Sequence, residues 1–133
     1  MRTIESFMSD YFHAKILDEQ RYQADRAAFR RKFFAADCRY DSRAGTLTKL
    51  QSERIISIEK GESDSKVISE QDFSFRGNIR KIRLKYHLRP SEEDWLIREV
   101  QTGCLVCEGR GDKDCPYCHG AQWVTPSSSQ LPD

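Results

Sequence analysis

Four of the five cysteines fall between positions 104 and 118, in the run CLVCEGRGDKDCPYCHG. Cys104 and Cys107 form one C-x2-C pair, Cys115 and Cys118 a second, and seven residues separate the pairs. Two such pairs at short separation are the spacing at which four thiolates converge tetrahedrally on one zinc ion, at about 2.3 Å from each sulfur. Gly109 and Gly120 each follow the second cysteine of a pair by two residues. A glycine there lets the chain take a positive φ and lets backbone N–H groups approach the sulfurs. Four thiolates on Zn2+ leave a formal charge of −2, which those N–H groups and the nearby Arg110 and Lys113 would offset. His119 is the nearest substitute ligand and is expected to lie just beyond the coordinating atoms. Four cysteines close the coordination sphere, so the expected zinc is structural, one per chain.

The second pair, spelled CPYCHG, fits two other chemistries. A glutaredoxin-type C-P-Y-C dithiol opens a helix with most of a βαβ fold downstream, whereas only 15 residues follow Cys118. Haem attachment at Cys115, Cys118 and His119 requires export and a separate axial ligand. Neither uses Cys104 and Cys107, and zinc uses all four thiols; iron in a rubredoxin-like site is the remaining alternative. Cys38, far upstream, is expected to be a small buried hydrophobe.

A chain of 133 residues has room for one ordinary domain and a small appendage. No stretch approaches the roughly 18 uninterrupted apolar residues of a membrane span, and Met1–Glu5 meets charge before a signal-peptide core forms, so the expectation is a cytoplasmic protein without a membrane partner. The net charge of +1 hides a division: residues 1–100 carry 20 basic and 17 acidic side chains, residues 101–133 only 2 and 4. That near balance excludes a protein working mainly by gripping phosphates.

The elements that must position the cysteines are legible in the periodicity. Ile4, Phe7, Met8, Tyr11 and Phe12 form an i, i+3, i+4 stripe that predicts a helix over 3–20, capped by Thr3 with Glu5 in its first turn. A second helix is expected over 24–34, with Phe29 and Phe33 buried and Arg26, Arg30, Arg31 and Lys32 on a solvated back. The period then alternates. CRYDSR (38–43) reads as a short strand ended near Gly45, RIISIE (54–59) and VISEQDFSF (67–75) as a hairpin around KGESDSK, and IRKIRLKYHLRP (79–90) and WLIREV (95–100) as strands joined by SEED. In the third of these long strands Ile82, Leu84, Tyr86 and Leu88 point one way, and Lys81, Arg83, Lys85, His87 and Arg89 the other. The fold class is therefore α+β, with N-terminal helices on one face of a curved antiparallel sheet. The organisation is a body over 1–100, a cysteine module over 101–124 and a disordered tail, TPSSSQLPD, over 125–133.

This order of elements, the step FFAADCRYDSRAG and the closing pair IRLKYHLRPSEEDWLIREV resemble the nuclear transport factor 2-like superfamily over about residues 3–100. The resemblance implies a cone-shaped body with a cavity between helices and sheet, used for small apolar ligands, and in some members a homodimer formed through the sheet. It also implies that any catalytic groups would be acidic, Tyr or His side chains inside the cavity. The residues whose phase allows that here are Tyr11, Tyr40, Asp41 and Tyr86, and Tyr11 and Tyr86, each on an apolar face, read more readily as core aromatics with satisfied hydroxyls than as proton donors. His87 falls on the charged face and His13 flanks the helix stripe, so no carboxylate–histidine pair emerges and no catalytic residue is assigned.

The repeat C-x-x-C-x-G-x-G at 104–111, followed by C-x-x-C-x-G at 115–120 with Gln122 in the last glycine's place, resembles the cysteine-rich region of DnaJ-type co-chaperones. Two of that family's four repeats imply one zinc where the family holds two, and a zinc-stapled hairpin that presents a surface to another polypeptide. The resulting expectation is a non-enzymatic zinc-binding module for a small apolar ligand or a protein partner. The alternatives are an isomerase or dehydratase using the cavity, or chaperone-like binding through the hairpin. Lys81, Arg83, Lys85 and Arg89 lie in a run, 76–89, with six Lys or Arg and no acid. They would either meet RNA or an acidic partner, or pair with Glu70, Asp72 and Glu99 on neighbouring strands.

Overall fold

The computed structural model describes residues 2–17, 26–38, 48–75, 77–103, 113–115 and 123–124. Helix α1 (Ile4–Leu17) starts where expected. The Thr3 hydroxyl oxygen accepts the Ser6 N–H at 3.1 Å, and the Thr3 carbonyl accepts the Phe7 N–H at 3.1 Å, satisfying donors that a helix start leaves open. Its predicted stripe, Ile4, Phe7, Met8, Tyr11 and Phe12, is buried throughout. Arg2 fixes the helix start to the sheet: its N–H donates to the Glu93 carbonyl at 3.0 Å, and its own carbonyl accepts the Trp95 indole N–H at 2.7 Å.

Helix α2 (Arg26–Phe33) buries Phe29 and Phe33 as its spacing requires. It ends one residue early because Phe34 leaves the helical path to bridge Ile97 in parallel, with the Ala35 N–H donating to the Ile97 carbonyl at 2.9 Å. Cys38 follows, buried in the core cluster, with its carbonyl accepting from the Arg30 guanidinium at 2.6 Å. The expected strand over 38–43 has only Cys38 among the described residues, outside any strand; Gly45 and the tail over 125–133 lie outside them altogether.

The sheet is an antiparallel meander in sequence order: β1 (Thr48–Glu59), β2 (Ser65–Phe75), β3 (Asn78–Ser91), β4 (Asp94–Gly103) and the short β5 (Trp123–Val124). The chain is thus α+β, with two helices and four long antiparallel strands among the described residues. On β3 the alternation holds, and Ile82, Leu84, Tyr86 and Leu88 are buried against the helices. Elsewhere bulges shift the phase. On β4, His87 pairs with Glu99 and Leu88 with Ile97, so Arg98 is an extra residue and both Ile97 and Val100 turn inward, three positions apart. On β1 the extra residues are Gln51 and Ile56; Ile56 is 43% exposed, while Ile55 and Ile58 both pack against the core.

Two tight turns set the remaining register. Phe75 pairs with Asn78 across Gly77, whose φ of 83° lies in the left-handed region, and Ser91 pairs with Asp94 across Glu92, whose φ is 57°. Glycine takes that conformation without steric cost and glutamate does not. Among the described residues no helix is long and apolar enough to cross a membrane. Gly77→Ala should lower unfolding free energy by about 1 kcal/mol, whereas Glu92→Gly should not lower it. Urea unfolding of the two variants checks both signs.

Candidate functional site

Lys15 stands four residues after Tyr11 and three after Phe12, so the helical period carries the buried stripe of α1 onto a charged residue. Opposite it, on β1, Glu53 lies two residues before Ile55 and faces the same way; on β2, Ser69 and Gln71 continue the inward phase of Val67. Tyr86 occupies the matching position on β3, between Leu84 and Leu88. Five polar side chains therefore meet inside the layer between α1 and the sheet.

Their geometry is that of a saturated carboxylate. Glu53 Oε2 accepts hydrogen bonds from the Tyr86 hydroxyl at 2.5 Å and the Ser69 hydroxyl at 2.6 Å. Glu53 Oε1 accepts from Gln71 Nε2 at 3.3 Å and forms an ion pair with Lys15 Nζ. The Lys15 ammonium also lies 3.3 Å from the Tyr86 oxygen. Neither charged side chain meets solvent, at 1% exposure for Lys15 and 0% for Glu53. Aromatic faces complete the surroundings of the ammonium, with ring centroids of Tyr11, Phe12 and Tyr86 at 4.6, 5.5 and 5.8 Å.

A lone buried charge costs several kcal/mol, and a buried pair is tolerated only when its remaining donors and acceptors are also met. Here they are met from three strands and a helix. The Tyr86 proton is directed at Glu53, and each carboxylate oxygen has two donors. The arrangement consumes its own acid–base groups and holds α1 against β1, β2 and β3. Beside it lies an aromatic core in which the Tyr11 ring packs edge-on to Phe33 at 5.4 Å, Phe34 at 5.6 Å and Tyr86 at 5.7 Å.

Of the four cavity residues read from the sequence, Tyr11 and Tyr86 come together in this way; Tyr40 and Asp41 lie outside the described residues. The described interior carboxylate is Glu53. Sequence reasoning missed it, together with Lys15, Ser69 and Gln71, although each is in phase with an apolar face.

On the opposite face of the sheet Lys81 and Arg83 of β3 are partnered. Lys81 Nζ is 3.4 Å from Asp72 and 3.7 Å from Glu70, and Arg83 is 3.9 Å from Glu70. Arg54 of β1 pairs with Glu70 from the other side. Glu99 pairs instead with Arg98, at 3.8 Å, and Arg89 is exposed. Lys85 Nζ sits 4.8 Å above the Trp123 ring. His87 is on this face as alternation requires, yet it is buried, with Nε2 2.9 Å from Gln101 Oε1 and Nδ1 3.5 Å from Asp64.

Strand β4 runs on to Gly103, which pairs with Trp123, while Thr102 pairs with Val124. The residues that flank the connection 104–122 are therefore neighbours in the sheet. Within that connection Cys115 is described and buried at 4%; Cys104, Cys107 and Cys118 lie outside the described residues, among which no group of three or more potential metal ligands occurs. No family model matches the chain, and no curated protein or solved structure does.

Removing one member of the interior pair strands the other. Glu53→Gln and Lys15→Met should each cost about 3–5 kcal/mol, and the double substitution much less than the sum of the two. A double-mutant cycle in urea measures the coupling; additive single effects would contradict the geometry.

Proposed function

We propose that the chain is a non-enzymatic protein-interaction module: a cone-like α+β body of the nuclear transport factor 2-like kind, carrying a C-terminal hairpin stapled by one structural zinc. Cys104, Cys107, Cys115 and Cys118 would hold the ion. The observation that carries this reading is the pairing of β4 with β5 at the two ends of the cysteine run. A connection of about 19 residues is long for a hairpin loop and is uncommon without something to organise it. Four thiols in two C-x2-C pairs are the donor set that zinc takes. The burial of Cys115 beside exposed Lys113 and Asp114 fits a thiol turned inward from a polar rim.

Two features favour a protein partner over catalysis on a small molecule. Tyr86 and Glu53, the interior groups suited to proton transfer, are committed to each other and sealed from solvent. Between α1 and the sheet they are walled by the buried aromatic side chains of Tyr11, Phe12 and Phe33. Zinc supplies folding energy to a segment too small to bury a core of its own, and the stapled hairpin then offers its rim to another polypeptide. The likeness of the cysteine repeats to those of DnaJ-type co-chaperones supports the same use.

Protein purified without added metal should carry one zinc per chain by native mass spectrometry, and chelation should lower its melting temperature. Cys115→Ser should lose the ion while retaining the far-ultraviolet circular dichroism of the helices and long strands. A photo-crosslinker at Lys113 should capture a polypeptide partner only in the metal-loaded protein, whereas one at Glu59 on β1 should not. Zinc-free protein with a Cys115–Cys118 disulfide, or capture unchanged by chelation, would overturn the reading.

A further inference from the structure

On the sheet side, the groups around Lys15 Nζ are held by contacts of their own. Glu53 is aimed by Ser69 and Gln71, both on β2, and Tyr86 is held on β3 with its hydroxyl proton committed to Glu53 Oε2. That commitment leaves the Tyr86 oxygen facing the ammonium as an acceptor. One carboxylate oxygen, one phenol oxygen and the faces of Tyr11, Phe12 and Tyr86 thus converge on a single point that water does not reach. These are the elements of an ammonium site: a desolvated carboxylate for the charge, an acceptor for a second N–H, and ring faces that attract the cation.

We propose that the interior contains a built binding site for a primary alkylammonium group, filled in this chain by its own Lys15. The ligand class is defined by the seat. A primary amine can donate to both Glu53 and Tyr86, whereas a quaternary ammonium donates to neither. The aromatic walls require an apolar stem behind the charge, which the Lys15 methylenes supply. Lys15 acts as a tethered ligand for the sheet, so helix α1 is docked by ammonium recognition as well as by its apolar stripe. This inference stands independently of the zinc reading.

The test is chemical complementation of Lys15→Ala, which removes a propylamine-shaped portion of the side chain. In the full-length variant, n-propylammonium chloride should raise the melting temperature saturably above that in sodium chloride of equal ionic strength. Propanol and tetramethylammonium should fail to do so, and the wild type, whose seat is filled, should not respond. If Lys15→Ala is unfolded in buffer, the expected result is recovery of a cooperative transition on adding propylammonium. Adding Glu53→Gln to the variant should weaken the apparent affinity by at least about tenfold. Equal stabilisation by propanol, or no saturable response to propylammonium by folded or unfolded Lys15→Ala, would overturn the proposal.

Discussion

A charge removed from water must find an opposite charge or be neutralised, and Lys15 and Glu53 meet that requirement in one place only. Their pairing ties the middle of β1, an edge strand of the described sheet, to the last turn of α1, and it sets where the helix lies along its own axis. A slip of one residue would turn Lys15 away from Glu53 and leave two ions unpaired in an aromatic core. Well-packed apolar residues could supply comparable stability at the same positions. What the pair adds is a single permitted seat for the helix, which the Tyr86, Ser69 and Gln71 contacts then make specific in angle and depth.

The other constraints follow from that seat. With α1 fixed over β1 to β3, the start of the helix reaches the turn between β3 and β4, where Arg2 and Trp95 exchange contacts. Helix α2 then covers β4, and the Phe34–Ile97 bridge brings its end onto the sheet. The bulges at Ile56 and Arg98 let strands with imperfect alternation present apolar residues to both helices. The outer face needs no second layer at its centre, because Glu70 and Asp72 lie between Arg54 on one side and Lys81 and Arg83 on the other. Among the described residues the sheet continues beyond β4 through the two residues of β5, and that short pairing brings together the two ends of the cysteine run.

Much of this architecture was legible in the sequence because apolar periodicity is a direct record of burial. The stripe from Ile4 to Phe12, the alternation from Ile82 to Leu88 and the turn through Glu92 lie where the sequence pattern puts them. The interior ion pair was not, since a lysine at a helix end and a glutamate in a strand each read as solvent-facing when taken alone. The signal was their phase: Lys15 extends the Tyr11 and Phe12 stripe, and Glu53 precedes Ile55 by two. Bulges were illegible for a different reason, because one inserted residue changes the phase of everything after it without any composition of its own. The burial of His87 belongs to tertiary packing around Asp64 and Gln101, which no local pattern encodes.

The functional account joins a sealed body to a metal-stapled hairpin, and its central claim is that four thiolates from residues 104–118 bind one ion tetrahedrally. Cobalt substitution tests this most directly, because the electronic spectrum of Co2+ reports both ligand type and geometry. The account predicts one Co2+ per chain, with the intense visible bands of a tetrahedral site and strong sulfur-to-metal charge transfer, both displaced by one equivalent of Zn2+. A weak octahedral spectrum, or uptake unchanged when Cys104 and Cys118 are replaced by serine, would contradict it.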